Sequence, residues 1–234
     1  MDTQISFLGT GGAFDWEYGN SAALVKLGQR NILLDCGPLV YPRLASTNQI
    51  NDIDVILLTH LHGDHVGGLF QLIMHRAFKS VPSRRTKIAY PTPAFRDEIW
   101  TLLKVMLTTP EQFVDFEDLQ AIRGAHYIDT SNRHIPGLLS YAYYFEEGRK
   151  LLYYSGDLGD VDITSDFIKT YSRRRPILFH EISHTRVFGH TYYKELMAIT
   201  AGYECYGYHC DPRMMPPDNT IPLVANCPKF LAPK

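Results

Sequence analysis

The chain has 234 residues, of which 45% are apolar and 12% aromatic, so it can bury one substantial core. Lysine and arginine number 23 against 25 acidic residues, which leaves a net charge of -2. A protein that grips long nucleic acid needs clustered basic residues to neutralise many phosphates, and this balance argues against that class. We therefore expect one domain, residues 1–234, with no extended nucleic acid as a partner.

The cysteine spacing and the N-terminal residues bear on where the protein works. The four cysteines form no C-x-x-C pair, and the start Met1-Asp2-Thr3-Gln4 lacks the basic and apolar regions of a signal peptide. No apolar run approaches the roughly 18 residues of a membrane span. We expect a soluble, cytoplasmic protein that makes no membrane contact.

The first half of the chain alternates strand signals with helix signals. Apolar and β-branched runs predict strands at residues 5–8, 21–27, 31–35, 54–58 and 87–90. The second and third of these form a hairpin, because only a short link at Gly28-Gln29 separates them. Apolar residues at helical spacing predict helices at 67–78 and 93–107.

The second half continues the mixture. Residues 108–121 are acidic and less regular, residues 138–145 and 150–154 predict a second hairpin, and 177–179 predict another strand. A helix at 192–201 closes at Gly202 and leads to a strand at 203–208, after which a proline-rich tail begins at Asp211. Hairpins mixed with helices indicate an α/β sandwich.

The stretch from Thr59 to Gly68 reads T-H-L-H-G-D-H-V-G-G and directly follows the apolar run at 55–58. In an extended segment His60 and His62 point the same way, because side-chain direction repeats every two residues. Gly63 then lets the chain turn, and Asp64 and His65 project toward the same point from a second direction. A lone histidine here would indicate a surface loop, but three with an aspartate at this spacing indicate a metal site.

The donor types narrow the choice of metal. Neutral imidazole and carboxylate are ligands that zinc, manganese and iron accept, whereas magnesium and calcium call for more oxygen.

The run from His60 to His65 resembles the H-x-H-x-D-H motif of the metallo-β-lactamase fold superfamily. The resemblance implies an αββα sandwich of two mixed sheets flanked by helices, and two divalent metal ions, zinc with manganese as the alternative. His134, Asp157 and His209 follow in the family's chain order. Carried over, the resemblance implies a first metal on His60, His62 and His134, a second on Asp64, His65 and His209, and a bridging Asp157.

Three further patterns, at residues 7–13, 19–22 and 32–37, resemble the ribonuclease Z branch of phosphodiesterases. That resemblance implies attack on phosphorus by a hydroxide that bridges the metals, with Asp64 helping to orient it. The segments F-H-E-I-S-H at 179–184 and F-G-H-T at 188–191 are similar to the H-E-A-T and H-S-T segments of that branch. They imply that His190 protonates the leaving oxygen and that Glu181 orients His190.

One difference between this sequence and ribonuclease Z narrows the class of substrate that we expect. Enzymes of that type carry a tRNA-gripping arm between the third histidine and the bridging aspartate, but here one hairpin fills the interval between His134 and Asp157. This resembles armless relatives that cleave cyclic phosphodiesters, including the phage anti-Pycsar enzymes that destroy cyclic mononucleotide immune signals. The comparison implies a small phosphodiester or cyclic nucleotide substrate, a homodimer, and the host cytoplasm as the place of action if a phage encodes the chain.

Aromatic residues crowd the regions expected near the metal loops, where they either stack on a base or pack in the core. They are Phe14, Trp16 and Tyr18 early in the chain and Tyr203, Tyr206 and Tyr208 late in it.

Other functions share parts of this pattern. A tRNA 3′-processing endoribonuclease of ribonuclease Z type and a lactonase or β-lactamase use the same metal ligands, so ligand spacing does not separate them. The glycine turn at residues 9–12 and the region around His190 argue against a lactonase. A non-catalytic nucleotide binder would have lost metal ligands, and none is lost here.

Overall fold

Six strands form the first sheet, in the order β1-β2-β3-β4-β5-β6, in this computed structural model, which describes residues 4–233. The first three strands are antiparallel, whereas β3 to β6 run parallel to one another. Parallel strands buried on both faces carry near-continuous apolar runs, and every residue of β4 is buried. The bounds are β1 Gln4–Gly9, β2 Ala22–Leu27, β3 Arg30–Leu34, β4 Val55–Leu57, β5 Thr86–Tyr90 and β6 Val114–Asp118.

Five strands form the second sheet, in the order β11-β10-β9-β8-β7. β7, β8 and β9 are antiparallel, and β9, β10 and β11 are parallel, so this sheet is also mixed. The bounds are β7 Ala125–Asp129, β8 Tyr141–Glu147, β9 Lys150–Tyr154, β10 Ile177–Glu181 and β11 Glu204–Tyr208.

Within residues 4–233, six α-helices accompany the two sheets. The second sheet forms an apolar cluster with Phe167 of α5 and Leu196 of α6, while Leu72 and Ile99, on α3 and α4, belong to the main core. The bounds are α1 Val40–Ser46, α2 Gly63–Val66, α3 Leu69–Phe78, α4 Pro93–Met106, α5 Asp162–Tyr171 and α6 Tyr193–Thr200. Within residues 4–233 no helix has the length and apolarity needed to cross a bilayer.

The two sheets pack face to face around an aromatic core. The ring of Phe7 on β1 lies 6.1 Å from that of Tyr154, 5.4 Å from that of Phe179 and 5.5 Å from that of Tyr208, which belong to three strands of the other sheet. Tyr154 and Tyr208 stack on each other at 4.9 Å. Aromatic pairs at such distances add to the free energy of burial, so this cluster joins the sheets.

The predicted αββα sandwich of two mixed sheets with helices is confirmed. The glycine-linked hairpin, the second hairpin and the helix before β11 are also present. Met1 to Thr3, which entered the argument against a signal peptide, and Lys234 lie outside the described residues.

The prediction that residues 108–121 are less regular is wrong for residues 114–118, which form a strand. β6 lies there and extends the first sheet, because its Asp115 pairs with Arg85 at 2.8 Å and Glu117 with Lys87 at 3.6 Å, which offsets the acidic charge. The sequence patterns also gave no signal for α1, α5 and β7.

Candidate metal centre

Seven histidine and aspartate side chains converge at one edge of the sandwich. The carboxyl ends of parallel strands meet at one edge of a sheet, so residues that directly follow such strands come together. Four of the seven follow β4, one lies between β7 and β8, one follows β9 and one follows β11. The residues are His60, His62, Asp64, His65, His134, Asp157 and His209.

The first group consists of three histidines whose ring nitrogens face one another. Nδ1 of His62 lies 3.0 Å from Nε2 of His60 and 3.2 Å from Nε2 of His134. Nitrogens that share a tetrahedral zinc ion lie about 3.3 Å apart, so this spacing suits three ligands of one ion. Burial lowers the pKa of His60 well below its ordinary value and also lowers the pKa of His62, which favours the neutral imidazole that binds metals.

The second group lies on the other side of Asp157. Nε2 of His65 is 3.4 Å from Oδ2 of Asp64 and 3.5 Å from Oδ1 of Asp157. Nδ1 of His209 is 3.4 Å from the same Oδ1. Burial lowers the pKa of His65, but the carboxylates of Asp157 and Asp35 outweigh burial and raise it well above its ordinary value. The carboxylates therefore favour positive charge at this point, as a bound cation would supply.

Asp157 faces both groups at once. Its Oδ2 lies 3.9 Å from Nε2 of His60 and 3.7 Å from Nε2 of His134, while its Oδ1 faces His65 and His209. Burial acts to raise the pKa of Asp157, but His209 and His65 lower it well below the ordinary value, so the side chain is a carboxylate.

Two buried polar atoms at this point fit metal coordination. Oδ1 of Asp157 and Nδ1 of His209 have no hydrogen-bond partner within the described part of the chain. A buried polar atom left without a partner costs about 1–3 kcal/mol, whereas a metal ion would satisfy both atoms. The donor set and these two atoms therefore fit the divalent ions that the sequence predicts.

Two unusual backbone conformations aim the donors. Gly156 has φ of 61°, and a Cβ at this position would lie 2.9 Å from the Thr59 side chain, so glycine is required before Asp157. His209 has φ of 67°, and its N–H donates to the carbonyl of Thr10 at 2.7 Å. The end of β1 therefore holds the last donor of the site in place.

Asp35 supports the site, although the sequence analysis gave it no role. Its buried carboxylate accepts hydrogen bonds from the N–H of Thr59 at 2.7 Å and from Nδ1 of His65 at 2.9 Å. This second contact turns Nε2 of His65 toward the other donors, which is what a carboxylate partner does for a metal-binding histidine. The available signal was an acidic residue directly after the apolar run at residues 32–34.

Glu181 and His190 form a pair beside the metal donors. Oε2 of Glu181 lies 3.3 Å from Nδ1 of His190, while Oε1 accepts from the N–H of Thr191 at 2.8 Å and of Leu158 at 3.2 Å. Burial acts to lower the pKa of His190, but the Glu181 carboxylate raises it to about 9. The ring of His190 lies 4.9 Å from that of His134. The imidazolium therefore stands at the edge of the donor cluster.

The structure places every residue predicted for the site at this edge of the sandwich. Which of them bind metal, and the roles of Asp64, Glu181 and His190, stay predictions. The interval from His134 to Asp157 holds only β8, β9 and their connecting loops, as the hairpin prediction required.

The sandwich and its histidine and aspartate cluster are those of a metal-dependent hydrolase with the metallo-β-lactamase fold. The fold is similar to that of YhfI from Bacillus subtilis, at 20% identity and a TM-score of 0.69 over 89% of this chain and 87% of that one. It is also similar to human tRNase Z, short form, at 20% identity and a TM-score of 0.63 over 90% and 94% of the chains.

A family model places the chain more closely. The model described as Anti-Pycsar protein Apyc1 matches residues 3–216. The Anti-Pycsar protein Apyc1 of Paenibacillus sp. (strain J14) is 30% identical over 217 residues, which cover 85% of this chain and 84% of that relative. The chain belongs to the Anti-Pycsar protein Apyc1 family.

Proposed function

We propose that the protein uses two divalent metal ions to hydrolyse cyclic mononucleotides to linear products. The position of Asp157 carries this proposal, because one carboxylate oxygen faces each of the two donor groups. Such a carboxylate suits a pair of ions, which lie about 3.5–4 Å apart in two-metal hydrolases. The nitrogen-rich first group favours zinc, with manganese as the alternative.

The chain's own residues supply proton transfer and orientation. Bound ions would lower the pKa of a shared water toward about 7 and neutralise charge on the phosphoryl oxygens. His190, whose pKa is raised by Glu181 to about 9, donates its Nε2 proton to the leaving ribose oxygen as the P–O bond breaks. Glu181 accepts from Nδ1 and so directs Nε2 outward. Asp64, at the edge of the second group, accepts a hydrogen bond from the attacking water.

Three observations support a small cyclic substrate. The hairpin of β8 and β9 leaves no room for a tRNA-gripping arm. A cavity of about 560 Å³ beside His190 and His209 falls in the range of small-ligand sites, about 300–1,000 Å³. The matching family model is described as Anti-Pycsar protein Apyc1, and the sequence resembles anti-Pycsar enzymes that destroy cyclic mononucleotide signals.

The test is product analysis by mass spectrometry. The purified protein, supplied with zinc or manganese, is incubated with 2′,3′- and 3′,5′-cyclic mononucleotides, and we expect linear mononucleotides. His62→Ala should abolish turnover because it removes a donor of the first group. His126→Ala is the matched control, since His126 pairs with Glu146 on β8 outside the donor cluster. Absence of linear product from every cyclic substrate would contradict the proposal.

The same purified protein can be used to test the alternative hydrolase activities. Nitrocefin and a homoserine lactone test the β-lactamase and lactonase alternatives, and a precursor tRNA tests the endoribonuclease. We expect turnover of none of these at a rate comparable with that of the cyclic nucleotides. A faster reaction with any of them would replace the proposed substrate class.

A further inference from the structure

Residues 12–18, here named the aromatic turn, expose two large rings beside the metal centre. Phe14 is 99% exposed and Trp16 is 82% exposed. An aromatic side chain in water forgoes the free energy that burial would provide, and adjacent exposed apolar groups mark interaction sites. The exposure of Phe14 and Trp16 therefore indicates that they contact a ligand or another protein.

The other aromatics that the sequence offered for base stacking have partners within the chain. Tyr208 and Tyr206 pack in the main core, and Tyr203 packs against the second apolar cluster. Tyr18 lies under the guanidinium of Arg213, at 5.4 Å from its ring centre. Of the six aromatics that the sequence offered for base stacking, Phe14 and Trp16 are the exposed ones.

The aromatic turn adjoins the proposed reaction centre. Phe14 and Trp16 line the same cavity of about 560 Å³ as His190 and His209. A Cβ added at Gly12 would lie 3.5 Å from Nε2 of His209, so the turn begins in contact with a proposed metal ligand. A nucleotide whose phosphate lies at the metal donors would have its base in the part of the cavity that these rings border.

The aromatic turn is fixed in place rather than loose. Oδ1 of Asp15 accepts from the N–H groups of Glu17 at 3.1 Å and Tyr18 at 3.0 Å, which closes the turn. Arg213 pairs with Glu17 at 2.8 Å and with Asp211 at 2.7 Å, and so ties the turn to the segment that follows His209. A fixed platform loses little conformational entropy on binding.

We propose that Phe14 and Trp16 form the platform on which the substrate's base stacks, an inference that rests on the proposed function. Every base has a π-face, so stacking on rings tolerates different bases. Stacking on Phe14 and Trp16 should therefore stabilise bound purine and pyrimidine nucleotides alike.

Kinetics on substrates with and without a base test the platform. Phe14→Ala and Trp16→Ala should each raise KM for 3′,5′-cyclic AMP and cyclic UMP about tenfold and leave kcat within about twofold. KM for a methyl riboside 3′,5′-cyclic phosphate, which has no base, should stay unchanged. Trp16→Phe should restore most of the loss. Phe78→Ala, which removes an exposed ring from the end of α3, is the matched control and should change neither substrate.

Fluorescence gives a readout that needs no turnover. The chain has two tryptophans, so Trp100→Phe leaves Trp16 as the single emitter. Titration with AMP should quench Trp16 emission, because a base stacked on the indole quenches it by electron transfer at contact, whereas ribose 5-phosphate should leave the emission unchanged.

The outcomes separate this inference from the proposed function. If the wild type cleaves both kinds of substrate and neither alanine variant changes KM for the nucleotides, the platform is refuted and the phosphodiesterase stands. If the wild type cleaves neither, the proposed function is refuted and the AMP titration decides the platform. Sedimentation tests whether the two rings instead contact a second copy of the chain. If the double variant Phe14→Ala, Trp16→Ala dissociates an oligomer that the wild type forms, the rings belong to an interface between copies and the proposal is overturned.

Discussion

Nδ1 of His65 donates a hydrogen bond to the buried carboxylate of Asp35 at 2.9 Å, and the same carboxylate accepts from the N–H of Thr59. Asp35, which directly follows β3, thereby links that strand to the segment that follows β4. This contact fixes which nitrogen of His65 faces Asp64 and Asp157. The second donor group is therefore oriented by a residue outside it.

Asp35→Asn should weaken zinc binding at the second group by about 10–100-fold. Asparagine keeps the shape and tolerates the φ of 60° at this position, so the change removes mainly the charge that orients His65. Competition with a fluorescent chelator measures the affinity. Asp115→Asn on the exposed edge strand is the control, and equal zinc affinity in both variants would show that Asp35 has no orienting role.

Removal of metal should lower the thermal stability. Two divalent ions at about a thousandfold above their Kd would each add about 4 kcal/mol, and Oδ1 of Asp157 and Nδ1 of His209 are buried without another partner among residues 4–233. We expect a fall in Tm of at least about 10 °C on dialysis against dipicolinate. Zinc added back should restore the Tm. A Tm unmoved by chelation would count against a metal centre.

His190→Ala should lower kcat about 10²–10⁴-fold on cyclic nucleotides, because a ribose alkoxide leaves poorly without a proton. The loss should largely disappear with bis(p-nitrophenyl) phosphate, whose leaving group needs no proton. Glu181→Gln should give the same pattern more weakly, since it removes the charge that holds the His190 proton. An equal loss of kcat on both substrates would point to a structural role.

Glu146→Gln tests the ion pair between Arg174 and Glu146, which holds the β8–β9 hairpin in place. A hydrogen bond from Arg174, which follows α5, lowers the pKa of Glu146, and His126 contributes in the same direction. A lowered folded pKa gives stability that is present above the unfolded value, about 4.3, and is lost as the pH falls through the folded value.

The pair is more than a third exposed on the Glu146 side, so its contribution at pH 7 should stay below about 1 kcal/mol. Thermal unfolding of chelator-treated protein between pH 7 and pH 3 measures it. The Tm difference between wild type and Glu146→Gln should be small at pH 7 and vanish at the acid end. A difference that grows toward low pH would reverse the assigned sign.

The sequence was most informative where donors lie close together along the chain. His60, His62 and Asp64 follow one buried strand, so period and spacing alone predicted that they converge. His134 and His209 required resemblance to a family, because nothing local tells which distant loops meet. The hairpin of β8 and β9 could be predicted from the sequence, because its two strands are adjacent in the chain.

Other features depend on contacts that the sequence does not display. β6 alternates apolar and acidic residues, and two of its acidic side chains are paired by Arg85, which directly precedes β5, and by Lys87 on β5. Asp35 reads as the last residue of a predicted strand until the fold brings His65 against it. Aromatic content likewise does not say which rings are buried, so only the folded chain separates Phe14 from Tyr208.

The hydrogen bond from the N–H of His209 to the carbonyl of Thr10 makes completion of the donor cluster depend on contact between the two ends of the fold. During synthesis from the N-terminus, the His60 to His65 cluster emerges early, but the second donor group lacks its last member until β11 has docked beside β10. His209 then reaches its position only by meeting the end of the first strand. Full loading of the proposed two-metal site would therefore require that both sheets have closed on each other.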